Sequence, residues 1–139
     1  GLINVLLGGE YEIINNNQIV LFEIGSHLAT PQPKDINRIP DINVGIIDAL
    51  EKEMDKINQE LPVLDSFILP GGNDVSAHCH IARCICRRVE RDVVSLSDKE
   101  TINMDIIKYL NRLSDYLFVL SRHVIHKEGG TEKKWLPNK

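Results

Sequence analysis

Residues 67–91, FILPGGNDVSAHCHIARCICRRVER, leave few choices of fold. Pro70, Gly71 and Gly72 make a turn, and Asn73 is placed to cap a helix starting just after it. No proline interrupts 73–94, so the segment predicts one long helix of about six turns. On it, Arg83, Arg87 and Arg91 stand at i, i+4 and i+8 and project from nearly one face, with Arg88 and Glu90 beside them. Ile81, Ala82, Cys84, Ile85, Cys86 and Val89 around them are apolar or small. The apolar side must be covered by other helices, and the basic stripe needs an anion or carboxylates opposite it. Two readings stay open. Arginine grips phosphate oxygens in bidentate fashion, which makes the stripe a phosphate clamp. Alternatively it enters a salt-bridge network, within the chain or between subunits, and composition alone favours the network. Glu90, three residues after Arg87, could hold that guanidinium rather than touch a ligand.

The other apolar patterns supply the covering helices. Val44, Ile46, Ile47, Leu50, Met54, Ile57 and Leu61 recur three and four apart and predict a helix over about 43–60, ended by Leu61-Pro62. Ile102, Ile106, Tyr109, Leu110, Leu113, Leu117 and Leu120 predict a last helix over about 98–126, capped by Ser97 or Asp98 and stopped by Gly129-Gly130. Residues 14–28 carry a weaker helical pattern (Ile19, Leu21, Phe22, Ile24, Leu28), with Gly25 against it and the asparagines of 15–17 as caps. Residues 1–13 read as a short strand or extended arm turning at Gly8-Gly9. Residues 29–42, with three prolines, read as a loop, as do 62–72, and the charged tail 131–139 as frayed. At least four helices with short loops make an all-α, up-and-down helical bundle in a single domain.

Composition narrows the ligand. The 139 residues carry 16 basic and 20 acidic side chains, a net charge of −4, which argues against nucleic acid as a partner. A local arginine cluster on an acidic chain favours a small anion. No run of about 18 apolar residues predicts a membrane span, and no signal peptide is visible. Gly1 is not an initiator Met, so a removed leader stays open. Three cysteines at 79, 84 and 86 crowd one helix, which fits a reducing compartment better than a disulfide scaffold.

Few other residues invite chemistry. Asn111 lies amid Tyr109, Leu110, Leu113 and Leu117, and an amide there needs a hydrogen bond. Reading a ligand and capping a neighbouring loop are equally open to it. Phe67 just before the turn reads first as core; one wall of a cofactor pocket is the sharper alternative. His78, Cys79, His80, Cys84 and Cys86 could suggest a metal, but the spacing matches no zinc site and packing is favoured. His123 and His126 suit the helix dipole. Glu-x-x-His pairs of di-iron bundles are missing, as are Gly-x-Ser-x-Gly, Walker and Gly-x-Gly-x-x-Gly motifs. Gly8-Gly9 alone is a weak phosphate-loop signal.

FILPGG, then H-I-A-R-C-I-C-R-R-V-E-R, then Y-L-N-R-L-S-D-Y-L-F at 109–118 together resemble the PduO-type ATP:cob(I)alamin adenosyltransferases. F-E-I-G-S-H-L-A-T-P at 22–31 and L-L-G-G at 6–9 extend the match over most of residues 18–122. The resemblance implies a five-helix, ferritin-like bundle that forms a homotrimer with active sites at subunit interfaces. It implies transfer of the 5′-deoxyadenosyl group of ATP to cob(I)alamin, with Mg²⁺, giving adenosylcobalamin and triphosphate. It assigns Phe67 to the face beneath the corrin, Arg87, Asn111 and Glu90 to ATP, with Gly8 and Gly9 near the phosphates, and Arg83 to an ion pair with an Asp across the interface. Arg88 and Arg91 complete the motif as supporting residues. A cobalamin reductase and a cobalamin-dependent mutase are implied partners; nucleic acid and membrane are not. The compartment implied is the cytoplasm, or the mitochondrion in a eukaryote.

Two departures qualify the match. A phosphate loop of the type T-G-D-x-G-x-T does not precede LLGG, and the V-D-E-L-N helix that supplies the Asp partner of Arg83 is missing. That helix would fall between Gly9 and about Asn17, where GGEYEI passes directly into INNNQIVLF. Either the helix is lost or the numbering crosses an apparent gap, and the unpaired Arg83 left by a loss favours the gap. A true loss would favour a non-catalytic ATP- and corrinoid-binding carrier.

Overall fold

The computed structural model describes residues 1–9, 11–29 and 41–137. Five helices come in order: α1 Leu2–Leu6, α2 Glu12–Ala29, α3 Gly45–Asn58, α4 Asp74–Ser97 and α5 Met104–Lys127. Among the described residues there is no strand, only an isolated antiparallel bridge between Ile68 and Lys134. The chain is an all-α up-and-down bundle, as the apolar periodicity predicts.

The antiparallel pair α4·α5 is the most extensive packing in the molecule, and α3 lies along α5. Their apolar stripes meet in a core whose fully buried side chains include Leu50, Tyr109, Leu110, Tyr116 and Leu120. Each buried leucine stabilises the fold by roughly 1.5–3 kcal/mol relative to exposure. One buried polar link joins α5 to α2: the Tyr109 hydroxyl donates to Asn17 Oδ1 at 2.6 Å, and Asn17 Nδ2 donates to the Ile13 carbonyl at 2.6 Å. Asn17 is therefore a core residue inside α2, not a cap.

The start of α4 is fixed as its sequence predicts. Asn73 Oδ1 accepts from the Ser76 amide at 2.8 Å, the bond of an N-cap. Its Nδ2 donates to Glu128 Oε2 at 2.8 Å, tying the beginning of α4 to the end of α5. Gly72 has φ +107°, and a Cβ there would stand 2.6 Å from Ile125 Cδ1. Glycine at this turn thus meets both a left-handed backbone and a close approach to α5. Gly129, at φ +75°, turns the chain out of α5, as expected.

Three expectations fail. Residues 2–6 form a short helix rather than a strand or arm, because Gly8 (φ +80°) and Gly9 (φ +74°) act as a helix stop. Their amides return to the Val5 and Asn4 carbonyls at 3.1 and 2.8 Å. The last helix starts at Met104, not near 98. The amides of Asp98, Lys99 and Glu100 are spent closing α4, and Asn103 Oδ1 caps α5 by accepting from the Asp105 amide. Finally, the tail is not frayed through its described length, because Arg122 Nε donates to Glu132 Oε1 at 2.6 Å in a nearly buried ion pair. The predicted loop at 29–42 falls largely outside the described residues.

Candidate functional site

The arginine row of α4 runs along the outside of the α4·α5 pair. Arg83 is half-buried, with its guanidinium 5.6 Å from the centre of the Phe118 ring, a distance at which the cation gains from the ring face. Arg83 Nε is buried and has no hydrogen-bond partner among the described residues. Arg87, Arg88 and Arg91 are exposed, and among the described residues they make no ion pair. Of the salt-bridge network that composition favoured, within the chain or between subunits, the described residues form no part within the chain.

One turn beyond Arg87, Glu90 Oε1 accepts from Asn111 Nδ2 at 3.1 Å, so Glu90 is bonded to Asn111 and not to Arg87. Asn111 Oδ1 accepts from Arg112 Nη1 at 3.1 Å, and Arg112 Nε donates to Glu51 Oε1 at 2.7 Å. A chain of polar bonds thus crosses α4, α5 and α3 and sets the amide of Asn111. Arg112 and Glu51 were not apparent from the sequence. Their pairing joins positions 61 residues apart, and neither lies on an apolar stripe. The arrangement offers an exposed cation beside an oriented carboxylate and amide, chemistry suited to a phosphate chain and to polar ligand edges.

Phe67 is not core. It is 78% exposed, and its ring meets the Trp135 ring edge-on with centroids 6.2 Å apart. It sits where α4 begins and α5 ends, whereas Arg87 lies about 20 Å of helix rise further along α4 than Asp74. The structure therefore does not bring Phe67 and Arg87 together within one protomer. Gly8 and Gly9 adjoin Tyr11, whose hydroxyl accepts from Lys127 Nζ at 3.4 Å. Asn111 stands about 24 Å of helix rise back along α5 from Lys127, so the Gly8-Gly9 turn is not gathered into this group either.

The histidine and cysteine cluster of α4 is mostly packing. Cys79 and Cys86 are buried and Cys84 is exposed; all three are free thiols. Burial pushes the Cys79 thiol up to about 12 and the Cys86 thiol up to about 11, the latter with help from Glu90. Cys86 Sγ donates to the Leu110 carbonyl at 3.2 Å. His80 stacks edge-on against Phe118, and burial, then Arg83, lowers its pKa. No three His, Cys, Asp or Glu side chains converge among the described residues.

A second concavity, about 410 Å³, opens between α1, α2, α4 and α5. Leu2, Leu21, Ile81, Ile85 and Leu117 line it together with Gln18 and His78, and none of the arginines does.

The fold is thus an all-α bundle whose arginine row, without an ion pair among the described residues, lies beside an anchored amide, with an exposed aromatic ring near the start of the row's helix. The chain belongs to the cobalamin adenosyltransferase family, whose model matches residues 5–124. It is 40% identical over 130 residues to the corrinoid adenosyltransferase MMAB of Homo sapiens, covering 91% of this chain and 52% of that protein. To the corrinoid adenosyltransferase of Mycobacterium leprae it is 39% identical over 133 residues, covering 91% and 68%. The chain thus spans about half the length of the human relative. A phenylalanine-to-alanine variant of the PduO-type ATP:corrinoid adenosyltransferase from Lactobacillus reuteri, complexed with cobalamin and ATP, superposes with a TM-score of 0.79 at 35% identity. That match covers 87% of this chain and 67% of the other. Among the described residues no helix is long and apolar enough to cross a membrane.

Proposed function

We propose that this chain transfers the 5′-deoxyadenosyl group of ATP to cob(I)alamin, giving adenosylcobalamin and triphosphate. The observation that carries the reading is Arg87: exposed, without an ion pair among the described residues, and one helical turn from the Glu90–Asn111 bond. In this reading the cobalt(I) lone pair attacks the 5′ carbon of ATP. The cobalt–carbon bond forms as the carbon–oxygen bond breaks, and triphosphate leaves. Arg87 meets the charge that develops on the leaving group, and Asn111 and Glu90 orient the nucleotide. No proton has to move in this step, so no general base is required of the site. Mg²⁺ would arrive with the nucleotide, since the described residues converge on no metal cage.

Phe67 supplies the other half of the chemistry. Its exposed ring would lie beneath the corrin and exclude a lower ligand and water from cobalt. A Co(II) centre that loses its fifth ligand is easier to reduce to the nucleophile. In this reading the site is completed between protomers of a homotrimer, and the separation of Phe67 from Arg87 within one protomer supports it. The buried Nε of Arg83, without a partner among the described residues, supports the same arrangement, an acceptor on a neighbouring protomer being its partner. A cobalamin reductase would feed this single-domain enzyme and a cobalamin-dependent mutase would receive its product. The compartment is cytoplasmic, or mitochondrial in a eukaryote.

The test is direct. Chemically reduced cobalamin and ATP are mixed with the protein, and the visible spectrum is monitored. Conversion to the adenosylcobalamin spectrum is expected. Binding of both substrates with no conversion would replace the enzyme by a carrier.

A further inference from the structure

The tail after α5 is tied by hydrogen bonds to the loop that carries Phe67. The Leu69 amide donates to the Lys133 carbonyl at 2.7 Å, and the Trp135 amide donates to the Phe67 carbonyl at 2.8 Å. These two bonds flank the bridge between Ile68 and Lys134, so residues 67–69 and 133–135 form a minimal antiparallel pair. Lys134 Nζ also reaches Asp65 Oδ1 at 2.8 Å. Both segments are stapled at their root by one guanidinium. Arg122 Nε donates to Glu132 Oε1 at 2.6 Å, and Nη2 of the same residue donates to the Pro62 carbonyl at 2.9 Å. The Arg122 side chain is 6% exposed and that of Glu132 12%, so water competes little for this staple.

The side chains of the pair are arranged unequally. The backbone of residue 67 is held by the tail, yet its ring stands almost wholly in solvent. The single tryptophan of the chain, Trp135, is 47% exposed and presents itself edge-on to that ring. An isolated phenylalanine in water samples several rotamers, and a neighbouring ring limits them through contact and edge-to-face attraction of about 0.5–1.5 kcal/mol. The arrangement is one that positions an exposed ring rather than buries it.

We propose that Trp135 is a positioning residue for the corrin-facing ring of Phe67, and that the tail is held by Arg122 for this purpose. The proposal rests on the proposed role of Phe67 beneath the corrin. Trp135 acts through Phe67: it fixes the ring in the orientation that excludes the lower ligand from cobalt. It should therefore govern how much bound Co(II) corrinoid loses its fifth ligand, and leave the nucleotide untouched.

The experiment is a double-mutant cycle on Phe67 and Trp135 in the full chain, with two readouts for each variant: the spectroscopic fraction of four-coordinate Co(II) corrinoid in the presence of ATP, and the Kd for ATP. Trp135→Ala is expected to lower that fraction at least threefold with ATP affinity unchanged. Trp135→Phe should restore most of it, since a second ring can fill the same place. In the Phe67→Ala background, Trp135→Ala should change the fraction no further, because the ring it positions is gone. Equal fractions in wild type and Trp135→Ala overturn the proposal, as do additive effects of the two substitutions. If Phe67→Ala itself leaves the fraction unchanged, the reading of Phe67 fails and this inference falls with it, a result distinct from failure at Trp135 alone. A tail that detaches would show as ATP affinity falling together with the Co(II) fraction in Trp135→Ala, and that too overturns a positioning role.

Discussion

The arginines of α5 and those of α4 have opposite environments, and the contrast separates structure from function. Arg122 is buried, and its donors are taken by Glu132 and Pro62 of its own chain. Arg112 is partnered by Glu51 and Asn111. On α4, Arg83 keeps a buried Nε without a partner, and Arg87 stands in solvent without an ion pair among the described residues. Natural chains pair a buried guanidinium because an unpaired one is costly. Under the proposed function, the buried Arg83 Nε and the exposed Arg87 guanidinium are the groups left for partners outside the protomer.

The contrast breaks most sharply under substitution. Arg122→Ala leaves Glu132 nearly buried and unpaired, and should cost about 3–5 kcal/mol of stability, measured by denaturant unfolding. Arg87→Ala should shift the same curve by no more than about 0.5 kcal/mol, as exposed positions do. Similar stability losses at the two sites would erase the distinction. In ATP titrations the order reverses: Arg87→Ala should weaken binding by ~1.5–3 kcal/mol, roughly tenfold to a hundredfold. An unaltered ATP curve would place Arg87 outside the site.

A smaller effect sharpens the structural side. Gly72→Ala puts a Cβ into the left-handed region and against Ile125, and should cost about 1–3 kcal/mol in the same unfolding assay. A loss equal to that of Arg122→Ala would mean that the turn, not the staple, organises this end of the bundle.

The smallest expected effect is one of pH. Burial lowers the pKa of both His80 and His123 below the ordinary value of 6.5, with Arg83 and Lys127 respectively adding to it. The unfolded chain then takes up these protons first, so stability is full above about pH 6.5 and falls as pH drops through the folded values. Thermal melts at pH 7.5 and 5.5 should show a lower Tm at the acid end. A flat Tm would mean that neither ring is held neutral by the fold.

Much of this was legible in the sequence, and for physical reasons. The three- and four-residue recurrence of Leu50, Met54 and Ile57, and of Tyr109, Leu113 and Leu120, is the direct imprint of a buried helix face, so α3 and most of α5 could be read off. Asn73 before a proline-free run gave the start of α4. The first residue of α5 was not legible, because Ser97, Asp98 and Asn103 are all competent caps and the choice is made by how far α4 runs on. Nor was the docking of the tail, since the bonds of Arg122 and Trp135 join positions without periodic relation. Phe67 was misplaced on general grounds: hydrophobicity predicts burial, and a ring held in solvent by its neighbours is invisible to composition. The arginine row was legible as a feature, but its lack of partners within the described chain became plain only with the neighbouring helices in place.

The burial of two of the three thiols has a practical consequence. With their pKa values pushed up by burial, Cys79 and Cys86 hold little thiolate at neutral pH, and packing shields both from reagents. Cys84, on the open side of α4 and adjoining Arg83, is left as the reactive position. A maleimide dye would thus mark one atom at the start of the arginine row, without any cysteine having to be engineered in or out. The speed of that labelling becomes a gauge of whether a neighbouring subunit covers the row.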